Sequence, residues 1–186
     1  VSTLGGGTHT VTATYSGDGN FNISSSLAGG QVVNKADSAT AVGSSVNPSV
    51  AGQAVTFTAT VTATAPGAGT PTGTVQFKTN GVNFGAAVAL VAGVANSAAV
   101  ASLGAGNHAV AADYNGDGSF NISSGALAGG QTVILPPVVN ILTPTNGSVF
   151  LSSSVVTVLV SATSSIGIAE VKIYAGTNLL GMLTNA

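Results

Sequence analysis

Four residues in one short stretch have the types and spacing of a calcium-binding loop. In "DYNGDGSF", which runs from Asp113 to Phe120, Asp113, Asn115 and Asp117 alternate along the chain and Gly118 follows. This order matches the first half of a D-x-[DN]-x-[DN]-G calcium loop. Carboxylate and amide oxygens suit Ca²⁺, which needs about six to eight oxygen ligands. Asp113, Asn115 and Asp117 are therefore weak candidates for metal ligands.

The rest of the motif argues against calcium. The position at which such a loop carries its bidentate Glu is Ser124. A near copy of the stretch, "TYSGDGNF", has Thr14 and Ser16 in place of Asp113 and Asn115. Only the carboxylate of Asp18 and Asp117 recurs in both copies, and one shared carboxylate per loop makes a poor calcium site.

A turn is the interpretation that we favour for both copies. In it, Tyr15 and Tyr114 end inward-facing strands, and the glycines of "GDG" supply the positive φ angles of a tight turn. Phe21 and Phe120 then return the chain to the core.

Other reactive side chains do not form an enzyme-like pattern. His9 and His108 occupy the same place in the two copies and share strand parity with Val11 and Val110, which predicts half-buried structural histidines. No G-x-S-x-G motif is present. By strand parity Lys78 and Lys172 face solvent, which disfavours an intramolecular isopeptide bond. We predict no catalytic residue and no cofactor, and we do not expect an enzyme.

The composition restricts the class of protein. Only 4% of the 186 residues are charged and the net charge is −2, so the electrostatic footprint of a nucleic-acid-binding protein is missing. The absence of cysteine excludes disulfides and thiolate metal sites. No apolar run reaches the roughly 18 residues of a membrane span. Thr, Ser, Asn and Gly must supply most of the polar surface.

An internal repeat indicates tandem domains. The stretch from Val1 to Val33 matches the stretch from Val100 to Val133, with one residue inserted near Gly125. A period of roughly 100 residues is the length of a whole sandwich domain rather than of a solenoid repeat. We therefore expect the chain to open within a domain.

Alternation of apolar and polar residues predicts the strands of the second copy. In "QAVTFTATVTAT" and the strands that follow, the inward positions are Val55, Phe57, Ala59, Val61, Val75, Phe77, Val110, Ala112 and Tyr114. Asn80-Gly81 predicts a hairpin turn. Further strands are expected near Thr40–Val46, Phe84–Leu90, Val94–Val100 and Leu127–Ile134, which gives about seven strands and no helix.

This pattern carries a family resemblance. "NPSVAGQAVTFTATVTATAPGAGTPTGTVQFK", followed by "GAGNHAVAADYNGDGSF", resembles the bacterial Ig-like domain repeats that occur in tandem in secreted and surface proteins. The match extends from Val1 to Leu135. The chain departs from the pattern at Ser97, where such domains often carry an aromatic residue, which implies a thinner core there.

The last part of the chain resembles a different subfamily of bacterial Ig-like domains. After Pro136-Pro137, a "P…G" opening and the strand "VKIY" match its first half, with Val156, Val158, Val160, Val171 and Ile173 facing inward. The expected fold is therefore all-β, with tandem immunoglobulin-like β-sandwiches, one complete and two partial. The expected domains are residues 1–34, 35–135 and 136–186.

The resemblance implies a bacterial extracellular or cell-surface protein. We expect a structural spacer in a fibre, sheath or adhesin stalk. The alternatives are an adhesion module that binds glycan or a host protein, and accessory domains of a larger secreted enzyme. The expected partners are adjacent Ig-like domains or neighbouring copies. Residues Val1–Asn34 and Pro136–Ala186 could complete each other between subunits in a head-to-tail filament, although trimming of a longer chain is the favoured origin of the two ends.

Overall fold

A computed structural model describes residues 4–25, 29–164 and 167–184, and these residues form an all-β structure without a helix. This confirms the fold class. Here residues 4–34 are called the N-terminal segment, residues 35–135 the central sandwich and residues 136–184 the C-terminal segment. The domain boundaries themselves stay a prediction.

The strands are short in all three parts of the chain. Those of the N-terminal segment are β1 (Gly7–His9), β2 (Thr14–Tyr15), β3 (Ser24–Ser25) and β4 (Gln31–Val33). Those of the central sandwich are β5 (Ser38–Ser44), β6 (Ser49–Val50), β7 (Phe57–Ala63), β8 (Thr74–Thr79), β9 (Val82–Asn83), β10 (Val88–Ala89), β11 (Val94–Asn96), β12 (Gly106–His108), β13 (Val110–Tyr114), β14 (Ser123–Ala126) and β15 (Gln131–Ile134). Those of the C-terminal segment are β16 (Val138–Thr143), β17 (Leu159–Thr163), β18 (Glu170–Ala175) and β19 (Asn178–Thr184).

Two sheets enclose the core of the central sandwich. One sheet has the order β11-β7-β5, and the other has the order β10-β8-β13-β14, with β9 paired to β8. A third, smaller sheet, β12-β15-β6, includes the parallel pair β15 and β6. Phe57 and Phe84 meet edge to face in this core, with ring centroids 6.5 Å apart. The two larger sheets together make a sandwich with one apolar interior.

Strict alternation places the predicted side chains in that interior. All nine predicted inward residues of the second copy are buried. The threonines between the buried residues of β7 lie at the surface or near it, so this strand has one apolar and one polar face. The turn between β8 and β9 consists of Asn80 and Gly81, with φ angles of 50° and 80°. The predicted hairpin is confirmed.

Several predicted strand limits were wrong. The region expected to be one strand from Phe84 to Leu90 contains only the two-residue strand β10. The region from Leu127 to Ile134 pairs only from Gln131, whereas the unpredicted β14 pairs with β13 just before it. Where each strand begins and ends depends on its pairing with strands distant in sequence, which periodicity along one stretch does not show.

The polar residue Ser97 is accommodated by hydrogen bonds within the core. Ser97 is buried, its Oγ accepts the Phe57 N–H at 3.0 Å, and it donates to the Ala98 carbonyl oxygen at 2.9 Å. The hydroxyl therefore continues the pairing of β7 past the end of β11 and satisfies a buried amide, in place of the apolar contact of an aromatic side chain.

The N-terminal segment pairs its strands as the matching part of the central sandwich does. The β1–β4 pair opposes His9 to Gln31, and β12–β15 opposes His108 to Gln131. The β2–β3 pair likewise repeats the pairing of β13 with β14. The residues of the repeated stretch therefore specify its local strand pairing by themselves.

Burial differs between the two copies, which corrects one prediction. Tyr114 and Phe120 are 1% and 4% exposed, whereas Tyr15 and Phe21 are 42% and 69% exposed. In the central sandwich, residues of β7 and β8 lie in the same core cluster as Tyr114 and Phe120. Phe21 therefore does not return its chain to a core in this structure, because no equivalent sheets among residues 4–25, 29–164 and 167–184 cover it.

The C-terminal segment consists of two separate strand pairs, β16–β17 and β18–β19. Val158, Val160, Val171 and Ile173 are half-buried. Val156 was predicted to face inward but precedes β17 and is 40% exposed, so that prediction was wrong. Strand pairing begins only at Leu159, so Val156 lies before the paired part of this segment, although it is less exposed than Val155.

Candidate functional site

The Asp117 carboxylate is the centre of the loop that the sequence singled out. Its Oδ1 accepts the backbone N–H groups of Ser119 at 2.7 Å and Phe120 at 2.8 Å. Its Oδ2 accepts the backbone N–H of Thr72 at 2.8 Å and the Thr72 hydroxyl at 2.6 Å. One carboxylate thus closes its own turn and connects this turn to Thr72, which lies just before β8.

These four donors stabilise the charged form of Asp117. Partial burial acts to raise the pKa of Asp117, but the hydrogen bonds from Thr72, Ser119 and Phe120 outweigh it and hold the pKa well below its usual range. The carboxylate is therefore ionised at neutral pH, and its oxygens already receive donors from the protein.

Asp113 and Asn115 have other partners. Asp113 lies on β13 and forms an ion pair with Lys78 on β8, with Nζ and Oδ2 2.6 Å apart. Hydrogen bonds from Lys78 and then from Ser124 lower the pKa of Asp113. The Asn115 Nδ2 donates to the Thr74 hydroxyl at 2.9 Å. The structure therefore does not bring the three calcium candidates together around a common point.

Within residues 4–25, 29–164 and 167–184, no group of three or more His, Cys, Asp or Glu side chains is arranged to hold a metal ion. The surroundings of the Asp117 carboxylate suit a turn better than a Ca²⁺ site, because both of its oxygens accept hydrogen bonds from N–H or O–H groups. Calcium binding at Asp113, Asn115 and Asp117 stays a prediction.

The tyrosine before the loop behaves differently in the two copies. In the N-terminal segment the Tyr15 hydroxyl donates to Asp18 Oδ2 at 2.9 Å. In the central sandwich Thr72 occupies the corresponding Asp117 oxygen, and the buried Tyr114 hydroxyl makes no hydrogen bond with the described residues. Burial, and next the charge of Asp117, raise the pKa of Tyr114 to about 12. The covered loop therefore has a long-range contact with Thr72 where the exposed loop has a local contact with Tyr15.

The two histidines stabilise turns. The Nε2 atoms of His9 and His108 lie 2.7 Å and 2.8 Å from the carbonyl oxygens of Gly5 and Gly104. Both rings are half-buried, which agrees with the predicted structural role. The same contact therefore stabilises the glycine turn before β1 and the glycine turn before β12.

A buried glutamine network was missed by sequence reasoning. Gln131 is 0% exposed; its Oε1 accepts from the Ser44 hydroxyl at 2.6 Å, and its Nε2 donates to the Val46 carbonyl at 3.0 Å and to the Ser49 hydroxyl at 3.2 Å. These bonds fasten β15 to the stretch between β5 and β6. The signal available in the sequence was the recurrence of "LAGGQ" in both copies.

The Asp117 contacts predict a measurable loss of stability in Asp117→Asn. The amide oxygen can still accept from Ser119 and Phe120, but the amide NH₂ would face the two donors of Thr72. We expect the free energy of unfolding to fall by about 1–3 kcal/mol, because the two hydrogen bonds from Thr72 to a charged acceptor are lost. Urea unfolding followed by far-UV circular dichroism measures this change.

The matched control is Asp18→Asn, where the amide faces an exposed tyrosine hydroxyl that can accept, so we expect a much smaller loss of stability than in Asp117→Asn. Since folding lowers the pKa of Asp117, its contribution is full above about pH 4 and declines as the pH falls toward the native pKa. The acid side of the stability profile should therefore be shallower in Asp117→Asn. Equal losses in both variants would contradict this assignment.

No helix of the described residues is long and apolar enough to cross a membrane. A family model described as Bacterial Ig-like domain (group 3) matches residues 40–134, and a model described as Bacterial Ig domain matches residues 137–186. No curated protein matches the chain, and no solved structure matches it. Both family matches confirm the resemblance found in the sequence.

Domains of these families are generally non-catalytic and are commonly parts of surface or extracellular proteins. The first match covers half of the chain and coincides with the described sandwich of β5 to β15. The chain therefore belongs to the bacterial Ig-like domain (group 3) family.

Proposed function

We propose that this chain is a structural spacer segment of an extracellular fibre, sheath or adhesin stalk, built from Ig-like units in a row. The observation that carries this proposal is the shortness of the connections between units. Val33 ends β4, and Ala36 already bridges to Phe120, so Asn34 and Lys35 alone separate the two units. Two residues span roughly 7 Å at most, which leaves little freedom between neighbours.

The second connection is short and stiff as well. Ile134 ends β15 and Val138 begins β16, so the connection consists of Leu135, Pro136 and Pro137. Proline fixes φ and restricts the residue before it to extended conformations. Short, restricted connections suit a stalk that must hold its parts apart.

The near absence of charge favours close contact between neighbours. Only 4% of residues are charged, and two ion pairs, Lys78 with Asp113 and Lys172 with Glu170, join charged side chains among the described residues. Desolvating a charge at an interface costs several kcal/mol, so a surface of Thr, Ser and Asn can be covered at lower cost.

The exposed apolar side chains support adjacent Ig-like domains or neighbouring copies as the partners. Phe21 and Ile23 are exposed in the N-terminal segment, and Val139, Ile141 and Leu183 are exposed in the C-terminal segment. Large contiguous apolar patches are rare on isolated soluble proteins and mark contact surfaces. Both outer segments therefore carry exposed apolar side chains that another sandwich of the same type can cover.

Light scattering over a concentration series, with electron microscopy of the same sample, tests this function. We expect the mass to rise above the 17.7 kDa of one chain and the images to show elongated particles. The double variant Phe21→Asp/Ile23→Asp should associate less, because it places charge on the exposed apolar patch.

The control for that variant is Thr12→Asp/Thr62→Asp, which adds the same charge at exposed positions that are not large and apolar. The control should associate like the unmodified chain. A constant mass of one chain at every concentration, with compact particles in the images, would contradict the proposed function.

A further inference from the structure

The N-terminal segment directly touches the loop that follows β13 in the central sandwich. This loop, residues 116–120, is called the GDG loop here. A Cβ atom added at Gly6 would lie 2.8 Å from the Gly118 carbonyl oxygen and 3.0 Å from Lys35 Cγ. A Cβ added at Gly5 would lie 3.4 Å from Ser119 Oγ. The Lys35 ammonium donates to the Asp117 carbonyl oxygen. The turn before β1 therefore rests on the loop that follows β13.

Both sides of this contact are held in place by bonds of their own. On the receiving side, the Asp117 carboxylate closes the loop, and the Ala36 N–H donates to the Ser119 carbonyl oxygen at 2.8 Å. On the docking side, His9 Nε2 lies 2.7 Å from the Gly5 carbonyl oxygen and fixes the turn. Two rigid surfaces joined by two residues can define a single relative orientation.

The two repeats differ in sequence at this contact. The positions that match Gly6 and Lys35 in the second repeat are Ala105 and Leu135, and both are exposed. The second repeat is followed by a unit that matches a different bacterial Ig family, whereas the first repeat is followed by the central sandwich, which contains the second repeat. Glycine and lysine thus occur where the next unit presents a GDG loop.

We propose that Gly5, Gly6 and Lys35 form a fixed joint with the Asp117–Phe120 loop, so that the GDG loop is the docking surface for the preceding Ig-like unit. The proposal rests on the proposed spacer function and adds to it the contact that sets the angle between successive units. It also gives the recurring GDG motif a role that calcium binding does not supply.

Because the chain lacks cysteine, pairs of spin labels can be placed without other changes. The labels belong on the exposed residues Thr12 and Thr60, as Thr12→Cys and Thr60→Cys, one on each side of the joint. Double electron–electron resonance on the full chain then measures the distance between them. We expect one narrow distance distribution.

Gly6→Val should broaden or shift this distribution, because its side chain would overlap the Gly118 carbonyl. Gly104→Val is the control, since a Cβ at Gly104 meets nothing within 4 Å. Lys35→Met keeps the side-chain stem beside Gly6 and removes the ammonium, so we expect a smaller broadening. Unchanged urea unfolding of the central sandwich establishes that each variant is folded.

A broad distribution in the unmodified chain would overturn the joint, as would a Gly6→Val distribution equal to that of Gly104→Val. Light scattering of the same labelled samples separates this result from the proposed function. Association with a broad distance distribution contradicts the joint alone. A narrow distribution in a chain that remains a compact monomer supports the joint and contradicts the spacer function.

Discussion

Tyr114→Ala is expected to lower the free energy of unfolding of the central sandwich by about 3–5 kcal/mol. Tyr114 is 1% exposed and packs in the cluster formed by residues of β7, β8 and β13. Truncation would remove most of a large aromatic side chain and leave a cavity between two sheets that short strands cannot readily close. Urea unfolding followed by circular dichroism measures the loss.

The repeat supplies a matched control for this experiment. Tyr15 occupies the same position in the same motif but is 42% exposed, so Tyr15→Ala should lower stability far less than Tyr114→Ala does. Tyr114→Phe should lie within about 1 kcal/mol of the unmodified chain, because the hydroxyl it removes is buried without a hydrogen bond. If Tyr15→Ala were as destabilising as Tyr114→Ala, this would contradict the assignment of Tyr114 to a core and of Tyr15 to the surface.

Gln131→Ala is expected to destabilise the central sandwich by about 3 kcal/mol. The variant leaves the Val46 carbonyl without the amide donor and the Ser44 hydroxyl without one acceptor, and it opens a cavity beside the buried Ser49. We expect faster hydrogen exchange at the amides of β15 and β6, because this network fastens the two strands to the rest of the sandwich. Urea unfolding and amide exchange measure the two effects.

Gln31→Ala is the corresponding control. Gln31 stands at the same place in "LAGGQ", but its side chain is exposed and donates only to the neighbouring Val32 carbonyl among the described contacts. We expect a change of about 0.5 kcal/mol or less. A large loss of stability in Gln31→Ala, or a small one in Gln131→Ala, would show that the buried hydrogen bonds of Gln131 do not stabilise the sandwich as the structure implies.

The local contacts of the repeated stretch could be anticipated from the sequence in part. Asp18 and Asp117 each accept the N–H groups two and three residues ahead, which is the ordinary behaviour of aspartate before glycine in a turn. The partner of the second carboxylate oxygen could not be anticipated. It is Tyr15 in one copy and Thr72 in the other, and Thr72 lies 45 residues from Asp117.

The sequence by itself determined the all-β class, the inward face of the long strands and the Asn80-Gly81 hairpin. Each of these depends on neighbours within a few residues: the side-chain period of two along a strand, or the positive φ that a tight turn requires.

The tertiary structure alone decided which copy of the repeat has a core. Identical residues are buried at Tyr114, Phe120 and Gln131 and exposed at Tyr15, Phe21 and Gln31. Burial depends on what other strands place beside a side chain, and those strands come from residues up to 87 positions away. The contact of Gly6 with the GDG loop has the same origin, since it joins two units that local patterns describe only one at a time.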